Sequence, residues 1–229
     1  MNEIVIAVVG QPNAGKSTLF NMLTGARQFI ANYPGVTVEK KTGIYYYLDD
    51  KYILVDLPGT YSLTSYSLEE KVARNYLLHE RPDLVLNIID ASNIERHLNL
   101  TLQLIELGLP LVAVLNMMDT AKDKGLDIDI KKLEQILGFP VVPSIAKKNK
   151  GKEEIKKALR DAYYTDSANL SYTKAKVDYG KDLEETISFL TNRLEEYAES
   201  FRCNPRWLAV KLLSGDPHVE SLLQGGELE

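Results

Sequence analysis

The stretch Gly10-Gln11-Pro12-Asn13-Ala14-Gly15-Lys16-Ser17 decides the reading of this 229-residue chain. It follows the apolar run Ile4–Val9 directly and leads into Thr18-Leu19-Phe20-Asn21-Met22-Leu23. The pattern is G-x-x-x-x-G-K-[ST] between a buried strand and a helix, the setting of a phosphate-binding loop. A nucleotide's β-phosphate is a dense anion, and successive backbone N–H groups with a helix N-terminus form a concave site for it. Gly10 and Gly15 let the backbone come close to phosphate without a Cβ in the way. Lys16 brings a point charge to the β- and γ-oxygens, and the Ser17 hydroxyl is a Mg²⁺ ligand. The pattern implies a nucleotide site.

Working outward, the chain alternates strand and helix signals. Strands are expected at Ile4–Val9, Val38–Tyr47, Tyr52–Asp56, Leu84–Asp90, Leu111–Asn116 and Val141–Ser144. Helices are expected at Lys16–Thr24, Leu68–His79, Glu95–Leu107, Ile130–Leu137 and Lys152–Ala162. Asp49-Asp50-Lys51 is a short polar hairpin signal, so the two strands it joins are antiparallel. Intervening helices make the others parallel, with right-handed crossovers. Ligands on such sheets bind at the carboxyl ends of the strands.

Composition agrees with an ordinary globular chain, 45% apolar and 26% charged. A net charge of −5 weighs against a nucleic-acid partner. The one cysteine, Cys203, allows no internal disulfide and suits a reducing compartment. No run reaches the ~18 apolar residues of a membrane span, so the chain reads as soluble. No signal-peptide pattern opens it.

Asp56-Leu57-Pro58-Gly59 closes the short strand from Tyr52. A carboxylate there can hold Mg²⁺ through water, and the Gly59 N–H can reach a γ-phosphate. By itself D-x-P-G is a turn signal; about forty residues after a phosphate loop it becomes specific. Asn116-Met117-Met118-Asp119 closes the strand from Leu111. The Asp119 carboxylate can accept guanine's N1–H and exocyclic amine, whereas adenine would leave it unpaired, the strong kind of rejection. Asn116 would brace the loop and contact the base. The long loop Arg27–Thr37, with Pro34-Gly35 inside it, suits a segment that orders around a γ-phosphate. Thr37 is its hydroxyl at the strand entry and the second Mg²⁺ ligand.

In this order and spacing, the motifs resemble those of the Ras-like GTPases. More narrowly, GQPNAGKS at Gly10–Ser17, NYPGVTVE at Asn32–Glu39, DLPGTYS at Asp56–Ser62 and NMMD at Asn116–Asp119 resemble the N-terminal cytosolic part of the ferrous iron transport protein B family. PRWLAVKLLSGD at Pro205–Asp216 is similar to that family's helical domain. The resemblance implies a Ras-like P-loop fold, a mostly parallel six-stranded sheet with one antiparallel strand and helices on both faces, followed by a small all-α domain. It implies a GTP-binding domain over residues 1–164, a linker over 165–180 and the helical domain over 181–229. The module would hydrolyse GTP slowly to GDP at the cytoplasmic face of the membrane, partnered by the membrane-spanning part of the same Fe²⁺ transporter. Self-association is a further option.

Carried over residue by residue, the nucleotide site takes Gly10, Gln11, Pro12, Asn13, Ala14, Gly15, Lys16, Ser17 and Thr18. To these it adds Gly35, Val36 and Thr37, then Asp56, Leu57, Pro58 and Gly59. Its base end is Asn116, Met117 and Asp119 with Ser144, Ile145 and Ala146. The catalytic set is Asn13, Lys16, Thr37 and Gly59. Mg²⁺ falls to Ser17, Thr37 and, through water, Asp56.

Departures from the pattern matter. Met117 stands where most Ras-like GTPases carry Lys, and Thr60 where many carry a water-orienting Gln. The resemblance assigns Asn13 a K⁺ ion in place of an arginine finger; the bland alternative is a loop residue tolerant of left-handed backbone. In the last base loop Ile145 stands where Ser is expected, so Ala146 carries over best.

After Tyr164 the texture turns polar, and Thr165–Gly180 reads as a linker. Leu183, Ile187, Leu190, Leu194, Tyr197 and Phe201 then recur at helical steps. Asn204-Pro205 starts a second helix that stops at Gly215, with Trp207 in its core, and a third runs from Pro217 to Gly225-Gly226. Three short helices bury little alone, so they should dock on the α/β core or lack a piece. His79, His97 and His218 have no metal spacing, and no iron site is expected. Competing with the transporter module are a free-standing RNA-associated GTPase, in ribosome assembly or tRNA modification, and a nucleotide switch with negligible turnover.

Overall fold

The structure is a computed structural model that describes residues 1–25, 28–64, 67–169, 176–200 and 203–223. Arg27 of the expected loop, residues 170–175 of the expected linker, Phe201 and the Gly225-Gly226 stop lie outside the described residues, as does the side chain of His218. The α/β part runs β1 (Glu3–Gly10), α1 (Lys16–Thr24), β2 (Gln28–Asn32), β3 (Glu39–Tyr47), β4 (Asp50–Asp56), α2 (Leu68–His79), β5 (Leu84–Asp90) and α3 (Ile94–Leu107). It continues with β6 (Leu111–Asn116), α4 (Met118–Asp123), α5 (Ile130–Leu137), β7 (Val141–Pro143) and α6 (Lys152–Asn169). The helical part is α7 (Lys181–Arg193), α8 (Glu195–Ser200), α9 (Pro205–Leu213) and α10 (Pro217–Leu223).

The strands form one sheet in the order β2-β3-β4-β1-β5-β6-β7. Only β3 runs against the others, pairing antiparallel with β2 and β4, while β4-β1-β5-β6-β7 are parallel. The expected hairpin is there, tightened so that Tyr47 pairs with Asp50 across Leu48-Asp49. The sheet has seven strands rather than six. The extra one, β2, lies inside the stretch read as a loop, where Phe29 and Ile30 pair with Thr42 and Lys41 yet stay exposed.

Side chains along β1 alternate between two apolar layers. Ile4, Ile6 and Val8 meet Leu19, Phe20, Ile155 and Leu159 under α1 and α6. Ala7 and Val9 meet Tyr76, Val85, Leu100 and Leu104 under α2 and α3. A strand covered on both faces reads as a continuous apolar run, which is why β1, β5 and β6 are so plain in the sequence.

The helical part docks on the α2–α3 layer, where Ile187, Leu194, Trp207, Leu208 and Val219 join the same core. Its expected first helix is broken at Leu194, whose N–H is shared between the carbonyls of Leu190 and Thr191. The expected linker also begins as helix, because α6 runs on to Asn169. Beyond the described gap, Arg206 clamps Glu184 through both carboxylate oxygens (2.9 and 2.7 Å) and donates to the Val177 carbonyl. With Lys176 adding a third donor, the Glu184 carboxyl is held down at about 2.

Charges also cross the domain junction. Arg74 of α2 is 0% exposed and sits 3.4 Å from the Asp216 carboxylate, between α9 and α10 of the helical part. Its Nε and second terminal nitrogen are buried without hydrogen-bond partners among the described residues. Beside it, burial pushes the Glu106 carboxyl up and the Lys211 ammonium down, and each partly offsets the other. Tyr179 donates to Glu106, tying the segment before α7 to α3.

Candidate nucleotide-binding site

At the carboxyl end of β1 the chain turns sharply. Gly10 leaves no room for a side chain, since a Cβ would lie 2.8 Å from the Ile88 carbonyl oxygen of β5. The Ala14 N–H donates back to Gln11, and Asn13 and Gly15 both take left-handed backbone (φ 68° and 84°). Helices α2, α5 and α9 begin with a side-chain cap from Ser67, Asp129 and Asn204. Helix α1 begins on Gly15, with no side-chain cap and no acid in its first turn. Its opening N–H groups therefore point into the loop, an arrangement that favours an anion.

Lys16 reaches from the first turn of α1 to the end of β4, where its ammonium is 2.5 Å from Asp56 Oδ1. The segment after Asp56 is stitched to β1 by Leu57 N–H to the Val8 carbonyl and Thr60 N–H to the Gly10 carbonyl. Gly59 lies against Pro12. Tyr33 packs edge-on against Tyr76 and donates to the Asp56 carbonyl (3.3 Å), so the segment before Thr37 is pinned to the one after β4. Thr37 itself stands on an exposed bend without a hydrogen-bond partner among the described residues.

The other end is organised by Asn116, 3% exposed at the end of β6. Its amide donates to the Ala14 carbonyl and accepts from the Ala146 N–H, both at 3.0 Å. One side chain thus joins the phosphate loop to the last loop. Gly15 is required here too, since a Cβ on it would lie 2.2 Å from that amide nitrogen. Met117 takes left-handed backbone, and its methyl group comes close to Gly15. Ser144 is held by its N–H to Leu115, its hydroxyl to the Lys150 carbonyl, and its own carbonyl from Met118 N–H. Asp119 accepts from Thr120 N–H (3.0 Å) and from the Lys148 ammonium (2.8 Å). The Lys148 hydrogen bond holds the Asp119 carboxyl below the usual carboxylate range, so it is ionised at neutral pH.

A family model described as ferrous iron transport protein B matches residues 4–159, and one described as the FeoB cytosolic helical domain matches residues 179–229. The chain belongs to the ferrous iron transport protein B family. The Fe(2+) transporter FeoB of Salmonella typhimurium is 43% identical over 220 residues, 94% of this chain and 28% of that protein. This FeoB-family chain therefore spans under a third of the curated relatives it matches. The cytosolic domain of T. maritima FeoB in its GDP form II superposes with a TM-score of 0.90 at 39% identity, covering 99% of this chain and 87% of that one. The GMPPNP form of the same domain gives 0.87 at 40% identity and the same coverage.

Within this FeoB-family chain, the phosphate loop, Asp56–Gly59, Asn116–Asp119 and Ser144–Ala146 converge on one edge of the sheet. The Gln11 side chain is buried and donates to the Arg96 carbonyl of α3 (2.8 Å). Thr37 makes no hydrogen bond to Ser17 or Asp56 among the described residues. Lys148 escaped the sequence reading: its place at Asp119 is set by the turn after Ala146, across 29 residues of chain. Among the described residues no group of three or more His, Cys, Asp or Glu side chains is placed to hold a metal ion, and no helix is long and apolar enough to cross a membrane.

Proposed function

We propose that this chain binds GTP and GDP, hydrolyses GTP slowly, and through its nucleotide state regulates Fe²⁺ passage in the membrane-spanning part of the same transporter. The observation that carries the reading is Asn116, which bonds the phosphate loop and the base loop at once. It sets an anion site and an ionised Asp119 on one platform, the arrangement a guanine nucleotide needs. The GDP and GMPPNP forms of the T. maritima domain support it. Family membership and the acidic net charge favour the transporter module over an RNA-associated GTPase. On this reading the chain works at the cytoplasmic face of the membrane. Titration with GTP, GDP and ATP tests it directly; equal affinity for ATP and GTP would end it.

Lys16 leaves Asp56 for the β- and γ-oxygens, and Asp119 takes the guanine edge. Ser17 and Asp56 are oxygen donors of the kind a hard cation takes, Ser17 in the first turn of α1 and Asp56 at the end of β4. Mg²⁺ held there supplies charge that offsets what builds on the phosphate oxygens. Thr37 would complete that set only when the switch segment closes on a γ-phosphate. Thr37→Ala is therefore expected to keep GDP affinity and slow turnover. Equal losses of GDP and GTP affinity would remove Thr37 from that role.

Slow turnover follows from Thr60. Its hydroxyl is bonded to the Ser62 carbonyl at 2.5 Å, so it has no free donor for a water. The exposed, left-handed Asn13 is the residue that would hold K⁺, an ion that would supply positive charge against what builds on the phosphate oxygens. Hydrolysis in KCl should exceed that in NaCl at matched ionic strength, and Asn13→Ala should lose the difference while keeping GTP affinity within a few-fold. Identical rates in the two salts would leave catalysis to a partner acting in trans.

A further inference from the structure

The base loop is fastened to Asp119 by a residue outside the guanine motif. Lys148 ends the short 3-10 turn Ala146–Lys148 and sends its ammonium to Asp119 Oδ2 at 2.8 Å. The other oxygen, Oδ1, accepts from Thr120 N–H at 3.0 Å. A carboxylate has about four lone-pair sites, so one on each oxygen stays open for an incoming pair of donors. Holding both oxygens from behind fixes the rotation of the carboxylate about its last bond. Side-chain neighbours offer no substitute: Ile145 carries no hydrogen-bonding group, and Met117 carries neither charge nor donor.

The loop is tied at two points. Asn116 takes the Ala146 N–H, and Lys148 takes Asp119. Both ties run from the end of β6 to the segment after β7, and both turn on the same short bend. The second tie is charge-assisted, and the Lys148 ammonium rises while the Asp119 carboxyl falls, each because of the other. Lys148 is 59% exposed and Asp119 is 34% exposed, so as an isolated surface pair it would add little to folding. Its effect belongs to recognition instead.

We propose that Lys148 is a positioning residue for guanine, holding the Asp119 carboxylate in the plane that meets N1–H and the exocyclic amine together. The inference rests on the reading of Asp119 as the base-recognising group. It separates this chain's recognition into a reader, Asp119, and a brace, Lys148. Without the brace the carboxylate rotates and meets the two donors unevenly, so the second donor of guanine loses most.

The test compares GDP, inosine diphosphate (which lacks the exocyclic amine) and ADP on the wild-type chain, Lys148→Met and Lys148→Arg. Methionine keeps the length of the side chain and removes the charge. GDP affinity in Lys148→Met is expected to fall about five-fold, through a faster off-rate. Inosine diphosphate should fall less, so that the GDP-to-IDP preference shrinks, and Lys148→Arg should restore both. In an Asp119→Asn background Lys148→Met should have no further effect, because the group it acts through is gone. Unchanged GDP off-rate and unchanged GDP-to-IDP preference in Lys148→Met would overturn the proposal. So would an equal loss for both nucleotides, which a merely structural role predicts. If the wild-type chain does not prefer GDP to ADP, the reading of Asp119 fails instead, and the two failures are told apart by that first measurement.

Discussion

Asp119→Asn is expected to lower GTP affinity about 100-fold or more and to raise affinity for xanthosine triphosphate. The carboxylate offers acceptors to guanine's two adjacent donors, and the amide replaces one acceptor with a donor. Guanine then meets N–H against N–H and loses a bond on each side, which costs more than the bond itself because both groups are left without water. Xanthine has an oxygen where guanine has the amine, so the same amide finds a partner. The phosphate loop and Asn116 are untouched, so the change should appear in base preference with the Mg²⁺ requirement unaltered. A variant that weakens GTP and xanthosine triphosphate alike would mean that Asp119 only holds its loop together. The Thr120 and Lys148 hydrogen bonds make that a fair competing account.

The second large effect concerns stability. Asp216→Ala is expected to destabilise the chain by about 3–5 kcal/mol, because it strands a buried guanidinium. Arg74 is fully enclosed, two of its nitrogens already lack partners, and Asp216 is the carboxylate within reach of a third. At about 2–4 °C per kcal/mol for a chain of this size, the midpoint of thermal unfolding should drop by roughly 6–20 °C. The double variant Arg74→Met, Asp216→Ala removes both charges and should recover most of the loss. A single variant with a midpoint within a degree of wild type would show that the guanidinium is satisfied without Asp216.

Much of this architecture is legible in the amino-acid order, and the exceptions share a cause. Helices α1, α2 and α5 and strands β5 and β6 fall where caps and apolar periodicity place them. Each has a covered face or a local stop signal, so neighbouring residues suffice to define it. Strand β2 has neither: its residues are exposed, and it exists by pairing with β3, while Pro34-Gly35 nearby signals a loop. Helix α4 is six residues of mixed polarity held against the turn after β5, with no period long enough to read. The break between α7 and α8 comes from one shared N–H and leaves the apolar spacing intact.

The site divides the same way. Phosphate-loop spacing and the Asn116–Asp119 motif are local and were plain. That Gln11 turns to Arg96 and that Lys148 meets Asp119 both depend on which loops the sheet sets side by side. Arg74 looks like any charged helix residue until the helical part, 142 residues further on, covers it.

The chain contains a single tryptophan. Trp207 is 1% exposed in α9, in the apolar layer shared with α2 and α3, and its indole nitrogen has no hydrogen-bond partner among the described residues. Such an indole emits toward the blue, and water reaching it shifts the colour to the red. The molecule therefore carries its own optical gauge of how tightly the helical part sits on the nucleotide-side helices, readable during turnover without any dye.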